Sequence, residues 1–319
     1  MMNLMKVLLL GAGKRVSLAK LLKESGINLG VEIEIITYES SIDVPIADEA
    51  TVFVGKRFSD VTCLSSIKEL ILREKVNMVL ACHDAAVPLL PAISEFTFAP
   101  SCSAEMISTY SQKLLTSKFL RSFNIPVPPV PVSAPAIAKP NKGSASKGLC
   151  YLSTQSEFEN FLLRQDANEF DLQSLMTGPE FSVDVYVPRS GGQVTISQRI
   201  RLEVAGGEVV RTRIVDEPAI TEIVEKITAI PGNSGPMTIQ LIWDEPSLAF
   251  YVMEINPRFG GGMPASILAG APFLEIALSE CLGREIPHSR STVGVTVSRS
   301  FREHKSREIV KTNWRNDAK

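Results

Sequence analysis

The chain has 319 residues, enough for two or three domains, and its 45% hydrophobic and 21% charged residues are an ordinary globular balance. A formal net charge of -2 leaves no basic footprint for nucleic acid or an anionic membrane, and no run of apolar residues is long enough to predict a membrane-spanning helix. The five cysteines are odd in number and never spaced as C-x-x-C, which favours a reducing, cytoplasmic location over a disulfide framework or a zinc site.

The first 104 residues alternate between strand and helix patterns. Continuous apolar runs predict buried strands at 6–10, 31–37, 51–54 and 78–81, and helical spacing predicts helices at 16–23 and 67–74. This alternation is typical of an open, mostly parallel α/β sheet, which we assign to a domain spanning 1–104. Arg15 and Asp84 follow two of these strands, at the edge where such sheets bind ligands. Each of the two residues either contacts a substrate or is a solvated charge in a loop, and the sequence leaves both alternatives open.

The texture changes after a predicted helix at 105–123 and a proline-rich connector at 126–135. Short strands are predicted at 136–139, 149–152, 169–176, 180–187, 193–203, 208–214, 237–243 and 249–255, with helices at 157–163, 219–229 and 264–282. The last two strands form a hairpin. This α+β region is assigned to a second domain, 105–300, with a small lid subdomain at about 125–178. A basic tail, 301–319, follows.

A lysine at the end of a predicted strand opens a loop of small residues, Lys139-Pro-Asn-Lys-Gly-Ser-Ala-Ser-Lys-Gly148. Glycines let the backbone approach a ligand closely, and hydroxyl and N–H groups can cradle phosphates. The lysine supplies a point charge for phosphate oxygens. The loop residues with this capacity are Gly143, Ser144, Ser146 and Gly148. Seen alone, such a loop is more often only a loop.

Glu254 and Asn256 alternate across Ile255, so both side chains project from one face of a predicted strand. Gln240 lies on the partner strand of the predicted hairpin, where it can converge with them. Oxygen ligands on one face, opposite phosphates, suit magnesium. An unpaired Glu254 in so apolar a strand would be costly, which favours a bound cation.

The order of these segments resembles the ATP-grasp superfamily. The loop is similar to its K-P-x-x-G-S-x-S-x-G element, and Glu254-Ile-Asn-Pro-Arg-Phe-Gly-Gly is similar to its metal-binding segment E-x-N-P-R-x-G-G. The resemblance implies a first domain of the pre-ATP-grasp type and an ATP-grasp domain of two subdomains. It also implies roles for single residues: Lys113 and Lys139 on phosphates, the hinge residues Gln173 and Leu175 on adenine, Glu180 on ribose, and Arg258 facing the transferred phosphoryl group.

Gln240 carries further information, because some ATP-grasp ligases place an acidic residue there. A glutamine resembles the carbamoyl phosphate synthetase-like branch. The resemblance implies an enzyme that uses ATP and Mg²⁺, with Mn²⁺ as an alternative, to activate a carboxylate as an acyl phosphate for attack by an amine. Two alternatives stay open: another ATP-dependent phosphoryl-transfer enzyme, such as a carbamoyl phosphate synthetase-like one, or a non-catalytic nucleotide-binding module. The expected partners are small molecules and a homodimer, not nucleic acid or a membrane.

Four arginines on two predicted strands form pairs spaced by two residues: Arg199 with Arg201, and Arg211 with Arg213. Each pair faces one side of its strand. The four could bind a carboxylate or phosphate, or form a solvent-facing ladder with Glu203 and Glu208; the family resemblance favours Arg199 or Arg201 near the phosphates.

Two other chemistries lack essential parts. The turn Gly11-Ala-Gly13 lacks the third glycine of a dinucleotide fingerprint, and the three histidines accompany no G-x-S-x-G nucleophile elbow.

Overall fold

The computed structural model describes residues 3–143, 148–165, 169–300 and 303–305. Its first part is a four-stranded parallel sheet, which confirms the predicted parallel α/β architecture, and its strand order is β3–β2–β1–β4. Its elements are β1 (Asn3–Leu10), α1 (Val16–Asn28), β2 (Val31–Glu39), β3 (Thr51–Val54), α2 (Cys63–Glu74), β4 (Met78–Ala81) and the single turn α3 (Leu90–Ile93). The apolar run of β1 is buried on both faces, as expected for a central parallel strand.

The strand order reverses beside β1, so the turns after β1 and β4 diverge and leave a crevice at the carboxyl ends of these strands. Gly11 lies in the first of these turns with φ 71°, and a Cβ there would lie 2.6 Å from Cβ of His83 in the second. The lack of a side chain therefore allows the two turns to approach each other.

Two helices, α4 (Ala104–Tyr110) and α5 (Lys113–Ser122), lead to a three-stranded antiparallel sheet of order β6–β5–β7. Its elements are β5 (Ala136–Pro140), β6 (Cys150–Leu152), α6 (Gln155–Arg164) and β7 (Phe170–Ser174). The sheet has a small core of its own, built from Ala136, Ala138, Leu152 and Phe158. Helix α6 begins with a capping box between Thr154 and Glu157.

The last part of the chain forms a six-stranded sheet of order β12–β11–β8–β9–β10–β13. The elements are β8 (Glu180–Val187), β9 (Thr195–Ala205), β10 (Glu208–Val215), α7 (Pro218–Thr228), β11 (Gly235–Asp244), β12 (Ala249–Asn256), α8 (Met263–Leu268), α9 (Phe273–Leu282) and β13 (Thr296–Ser298). Every pairing except that of β13 lies between predicted strands, and all are antiparallel. One face carries Val183 and Ile239 into the main core, and the other carries polar residues.

Two large apolar cores join the first sheet to the last. One contains Leu8 of β1 together with Ile239 of β11, and the other contains Leu9 of β1 together with Phe273 of α9. Neighbouring residues of β1 thus enter different cores. An ion pair between Asp84, after β4, and Arg258, after β12, places the crevice of the first sheet beside the end of β12. Among the described residues, no helix is long and apolar enough to cross a membrane.

Two predicted helices were wrong in detail, and one strand was not predicted. The helix predicted at 105–123 is interrupted before Lys113, whose N–H donates to the Asn141 carbonyl at 3.0 Å instead of continuing α4. The helix predicted at 264–282 is divided at Gly270, with φ 103°, and Pro272. Strand β13 was missed because its three residues carry no pattern apart from their pairing with β10.

All five cysteines are free, which agrees with the absence of a predicted disulfide framework. Cys63, Cys82 and Cys102 are buried, whereas Cys150 and Cys281 are half-buried. Burial raises the pKa of Cys82 to about 12 and that of Cys102 to about 11, so both are thiols at neutral pH.

Candidate nucleotide and metal site

Gln240 and Glu254 lie opposite each other on neighbouring strands. The register of β11 and β12 pairs Gln240 with Glu254 and Thr238 with Asn256. The side-chain oxygen atoms of Gln240, Glu254 and Asn256 therefore share one face of the sheet with Thr238, and Asn256 is buried at 7% exposure. Within the described part of the chain, no group of three His, Cys, Asp or Glu side chains is arranged to hold a metal. A magnesium ion on this face would thus take most of its ligands from phosphate and water.

The amide of Asn256 connects this face to the first sheet. With its nitrogen turned toward them, Asn256 donates to Glu254 Oε1 at 3.2 Å and to Asp84 Oδ1 at 3.3 Å. In the opposite orientation its oxygen accepts from Arg258 Nη2 at 3.4 Å. In the first orientation the amide nitrogen donates hydrogen bonds to two carboxylates. A cation bound between these groups requires the second orientation, because only the amide oxygen of Asn256 can be a metal ligand.

Arg258 is held by the carboxylate of Asp84, which lies 174 residues earlier in the chain. Its Nε donates to Asp84 Oδ1 at 2.5 Å, and its Nη1 donates to the Phe259 carbonyl at 3.3 Å. The Arg258 side chain is 13% exposed and that of Asp84 is 41% exposed. Asp84 thus orients Arg258 from the crevice of the first sheet, a relation that the sequence did not indicate.

Lys139 on β5 lies where the three-stranded and six-stranded sheets face each other. Burial lowers its pKa, and the nearby carboxylates of Asp171, Glu254 and Glu180 oppose that effect, while Lys113 adds to it. These four charges come from both sheets and from α5, so the ammonium group of Lys139 stands among groups of both subdomains. A lysine in this position is placed to contact an anion that lies between the sheets.

Lys113 contacts the start of the glycine-rich loop. Its Nζ donates to the Gly143 carbonyl at 2.7 Å, and the N–H of Leu114 donates to Asn141 Oδ1 at 2.9 Å. Gly143 has φ 124° and Gly148 has φ 73°, backbone conformations that favour glycine. Ser144 and Ser146, the other two candidates of this loop, lie outside the described residues.

Gln173 on β7 has a buried acceptor atom that lacks a partner. The side chain is 1% exposed, its Nε2 donates to Asp171 Oδ2 at 2.7 Å, and its Oε1 has no hydrogen bond among the described residues. Asp171, which the sequence analysis did not single out, also accepts from Ser117 Oγ at 2.8 Å. An amino group of a ligand could satisfy Gln173 Oε1. The N–H of Leu175 already donates to the Pro135 carbonyl at 3.3 Å, so a ligand would bind the carbonyl group of Leu175.

Glu180 lies at the edge of the same face, after a turn that requires glycine. At Gly178 φ is 149°, and a Cβ there would collide with the Trp243 carbonyl oxygen. Glu180 forms an ion pair with Nη1 of Arg201, which also lies 3.4 Å from Gln240 Oε1. Arg201 therefore connects the predicted ribose residue to the predicted metal residues.

The structure gives the four arginines different surroundings. Arg199 is 1% exposed and forms a bidentate ion pair with Asp184, whose carboxylate also accepts from Thr238 and Ser266. Arg201 lies at the site, whereas Arg211 and Arg213 are exposed. Of the two glutamates in the alternative ladder, Glu203 lies opposite Arg211 in the strand register, whereas Glu208 pairs with Arg15 and Arg299 instead.

The site fits a nucleoside triphosphate with a divalent cation in three respects. Lys139 lies close enough to Glu254 and Lys113 for their charges to act on its pKa, and Arg258 lies beside Asn256 at the end of β12. The orphaned acceptor of Gln173 suits an exocyclic amino group such as that of adenine. The pair Gln240 and Glu254 supplies oxygen ligands next to these cations.

Comparison with known proteins identifies this class of fold. Three solved structures share it at low sequence identity. N5-carboxyaminoimidazole synthetase from Staphylococcus aureus is 18% identical, with a TM-score of 0.68 over 90% of this chain and 81% of that one. The biotin carboxylase domain of 2-oxoglutarate carboxylase from Hydrogenobacter thermophilus, a dimer in complex with MgADP, ADP and bicarbonate, is 14% identical, with a TM-score of 0.70 over 91% and 73%. L-amino acid ligase from Bacillus licheniformis is 17% identical, with a TM-score of 0.67 over 87% and 74%.

The chain thus has the ATP-grasp fold that its sequence predicted: a parallel sheet followed by an antiparallel ATP-grasp region. Within it, residues 167–301 match the family described as ATP-grasp in the biosynthetic pathway with Ter operon. No curated protein sequence matches the chain significantly. The carbamoyl phosphate synthetase-like branch that Gln240 indicated stays a prediction.

Proposed function

We propose that this protein is an ATP- and magnesium-dependent ligase that activates a substrate carboxylate as an acyl phosphate, which an amine then attacks. The observation that carries the proposal is the convergence of Glu254, Gln240, Lys139 and Arg258 at one place between the two sheets. The named ligases of the same fold, and their complexes with ADP and MgADP, support the choice of nucleotide and metal. In this proposal, bound MgATP supplies the phosphoryl group.

The chain's own residues contribute position and charge. Lys113 and Lys139 hold phosphate oxygens, and the backbone at Gly143 and Gly148 lies beside them. Gln173 and Leu175 contact the adenine, and Glu180 contacts the ribose. Gln240, Glu254 and Asn256 hold the metal, for which Mn²⁺ is an alternative to Mg²⁺.

Arg258 is the residue we assign to catalysis. Its guanidinium group neutralises charge on the phosphoryl group during transfer, and Asp84 keeps the guanidinium in the required orientation. Positioning and charge stabilisation account for most of the catalysis that phosphoryl transfer needs, so the proposal requires no general base.

The domain limits and the surroundings of the protein belong to the proposal. We assign 1–104 to a pre-ATP-grasp domain, 105–300 to the ATP-grasp domain with a lid at about 125–178, and 301–319 to a basic tail. We further propose a cytoplasmic location, small-molecule carboxylate and amine substrates, and a homodimer; the dimeric biotin carboxylase domain of the same fold supports the last of these.

The test is the release of ADP by the full chain with Mg²⁺ and a panel of carboxylates and amines. Stimulation only by a paired acid and amine supports the ligase. Stimulation by an acid alone, or by bicarbonate with an amine, favours the carbamoyl phosphate synthetase-like alternative. ATP binding without turnover under any pair favours the non-catalytic module.

Variants test the nucleotide site itself. Lys139→Ala and Glu254→Ala are expected to weaken magnesium-dependent ATP binding, whereas Lys118→Ala, on the exposed side of α5, leaves it unchanged. Unchanged ATP affinity in both of the first two variants would falsify the proposal.

A further inference from the structure

Two arginines from distant parts of the chain meet one carboxylate beside the glycine loop that follows Arg258. Nη1 of Arg15, on the turn after β1, lies 3.7 Å from Oε1 of Glu208, the first residue of β10. Arg299, which follows β13, forms an ion pair through Nη1 with the other oxygen, Oε2. Each oxygen of the Glu208 carboxylate therefore faces a guanidinium group of its own.

The same two guanidinium groups lie against Gly261. Nη2 of Arg299 donates to the Gly261 carbonyl at 2.5 Å, and a Cβ on Gly261 would collide with Nη1 of Arg15. Because Gly261 is only a few residues beyond Arg258, an anion held by Arg15 and Arg299 lies within one short loop of the proposed reaction centre.

The buried partner of this loop is also a guanidinium group. A Cβ on Gly262 would lie 2.7 Å from Nη1 of Arg199, and this Nη1 has no hydrogen-bond partner among the described residues although the side chain is 1% exposed. Asp184 neutralises only the other side of that guanidinium group. The loop at Gly261 and Gly262 thus lies among three arginines, a setting that favours a negatively charged ligand.

Glu208 is the most easily displaced member of the cluster. Its side chain is 50% exposed, against 20% for Arg15 and 32% for Arg299. Ion pairs of an exposed carboxylate contribute little to stability, whereas the two arginines are held by their packing on the loop. Another carboxylate could therefore replace that of Glu208 without a change in local charge balance.

We propose that Arg15 and Arg299 form a binding site for a non-reacting carboxylate of a small substrate, and that Glu208 occupies this site until the substrate binds. The inference rests on the proposed ligase function. Two planar guanidinium forks match the two oxygens of one carboxylate. That group comes either from a dicarboxylic acid whose other carboxylate is activated, or from an amino acid that supplies the amine.

The test measures binding of small probes to the full chain by calorimetry, with Mg²⁺ and a non-hydrolysable ATP analogue present. The probes are succinate, glutarate and a panel of L-amino acids, each paired with its monoamide or amide, which lacks the carboxylate in question. We expect Glu208→Gln to bind a carboxylate probe several-fold more tightly than the native protein. Arg15→Gln and Arg299→Gln are expected to bind it about 10-fold more weakly. The amide probes are expected to bind all forms equally.

Arg213→Gln is the matched control, because Arg213 is an exposed arginine of the same hairpin whose Nε donates to Thr296 Oγ1 at 3.2 Å. If Glu208→Gln binds dicarboxylates more tightly than the native protein does, the acid substrate is the source of the carboxylate. If it binds only amino acids more tightly, the amine substrate is the source.

The inference is overturned if no carboxylate probe binds Glu208→Gln more tightly than it binds the native protein. It is equally overturned if Glu208→Gln loses probe binding and thermal stability together with the arginine variants, since the cluster would then be a structural strap. ATP affinity measured in parallel distinguishes failure of the proposed function from failure of this inference. A native protein that binds no MgATP refutes the proposed function, whereas normal MgATP affinity with unchanged probe affinities refutes only this inference.

Discussion

The guanidinium group of Arg258 and the carboxylate of Asp84 form an ion pair across the boundary between the first sheet and the six-stranded sheet, with Nε 2.5 Å from Oδ1. The residue that would face the transferred phosphoryl group is thus oriented by a residue that belongs to the crevice of the parallel sheet. The proposed reaction centre depends on how these two parts of the chain pack together.

Asp84→Asn is expected to slow ADP release more than it weakens ATP binding. The amide can still accept one hydrogen bond from Arg258 but does not hold it by charge, and misplacement of a phosphoryl-facing group costs about 10–100-fold in rate. Steady-state kinetics and MgATP titration of the same variant separate the two effects. Asp60→Asn is the control, because Asp60 is an exposed carboxylate that bonds only within its own turn. An equal loss of rate in both variants contradicts the role of Asp84.

Gln240→Glu is expected to strengthen divalent metal binding. The change places a second carboxylate directly opposite Glu254, and a charged oxygen is a better ligand for a hard cation than an amide oxygen. We expect Mn²⁺ affinity, measured by electron paramagnetic resonance in the presence of ADP, to rise about 10-fold. Glu254→Gln is expected to lower it. Gln193→Glu, an exposed position two residues before β9, serves as control; a similar gain there means that general charge is responsible.

Lys139 is expected to make stability depend on pH. Burial lowers its pKa below 10.5, so between the lowered pKa and 10.5 the unfolded chain binds a proton that the folded chain does not. The free energy of unfolding should therefore rise with pH across that window. Lys139→Met removes this dependence and is expected to be more stable than the native protein at about pH 7, with the difference shrinking toward about pH 10. Urea unfolding at several pH values measures this difference, with Lys118→Met as control; a difference that grows with pH refutes the assignment.

Asp184→Asn is expected to destabilise the protein by about 3–5 kcal/mol, because it leaves the buried charge of Arg199 without a counter-ion. The double variant Asp184→Leu with Arg199→Met should recover much of that loss, since it removes both charges. Denaturant unfolding gives the three free energies. Asp216→Asn, an exposed change, is the control. If the double variant is no more stable than Asp184→Asn, the unpaired charge of Arg199 is not the cause.

Gly178→Ala is expected to destabilise the protein by about 1–3 kcal/mol and to weaken nucleotide binding, because a Cβ there collides with the Trp243 carbonyl and displaces the neighbouring Glu180. Gly191→Ala is the matched control: Gly191 also has a positive φ, 80°, but a Cβ there meets nothing within 4 Å. Thermal unfolding and ATP titration of both variants separate the collision from the backbone strain. Equal effects in the two variants mean that strain alone matters.

Much of the fold was readable from local patterns. The apolar run of β1 predicted a buried parallel strand, and the alternation of Glu254 and Asn256 across Ile255 predicted their common face. The elements that were missed or joined have non-local causes. Helices α4 and α5 are separate because Asn141 accepts from the first N–H groups of α5. The contact between Leu114 and Asn141 spans 27 residues of chain, so no local pattern indicates it.

The sequence by itself determined which residue types stand in which order and on which face of a strand, because side-chain periodicity is a local property of the backbone. Only the tertiary structure decided which charges those residues meet. Arg199 and Arg201 share one strand face, yet one is buried with Asp184 and the other lies between Glu180 and Gln240. Likewise, Asp84 reaches Arg258 across 174 residues of chain. The packing of whole sheets against each other determines such partners, and no local sequence pattern in either segment indicates which residues will meet.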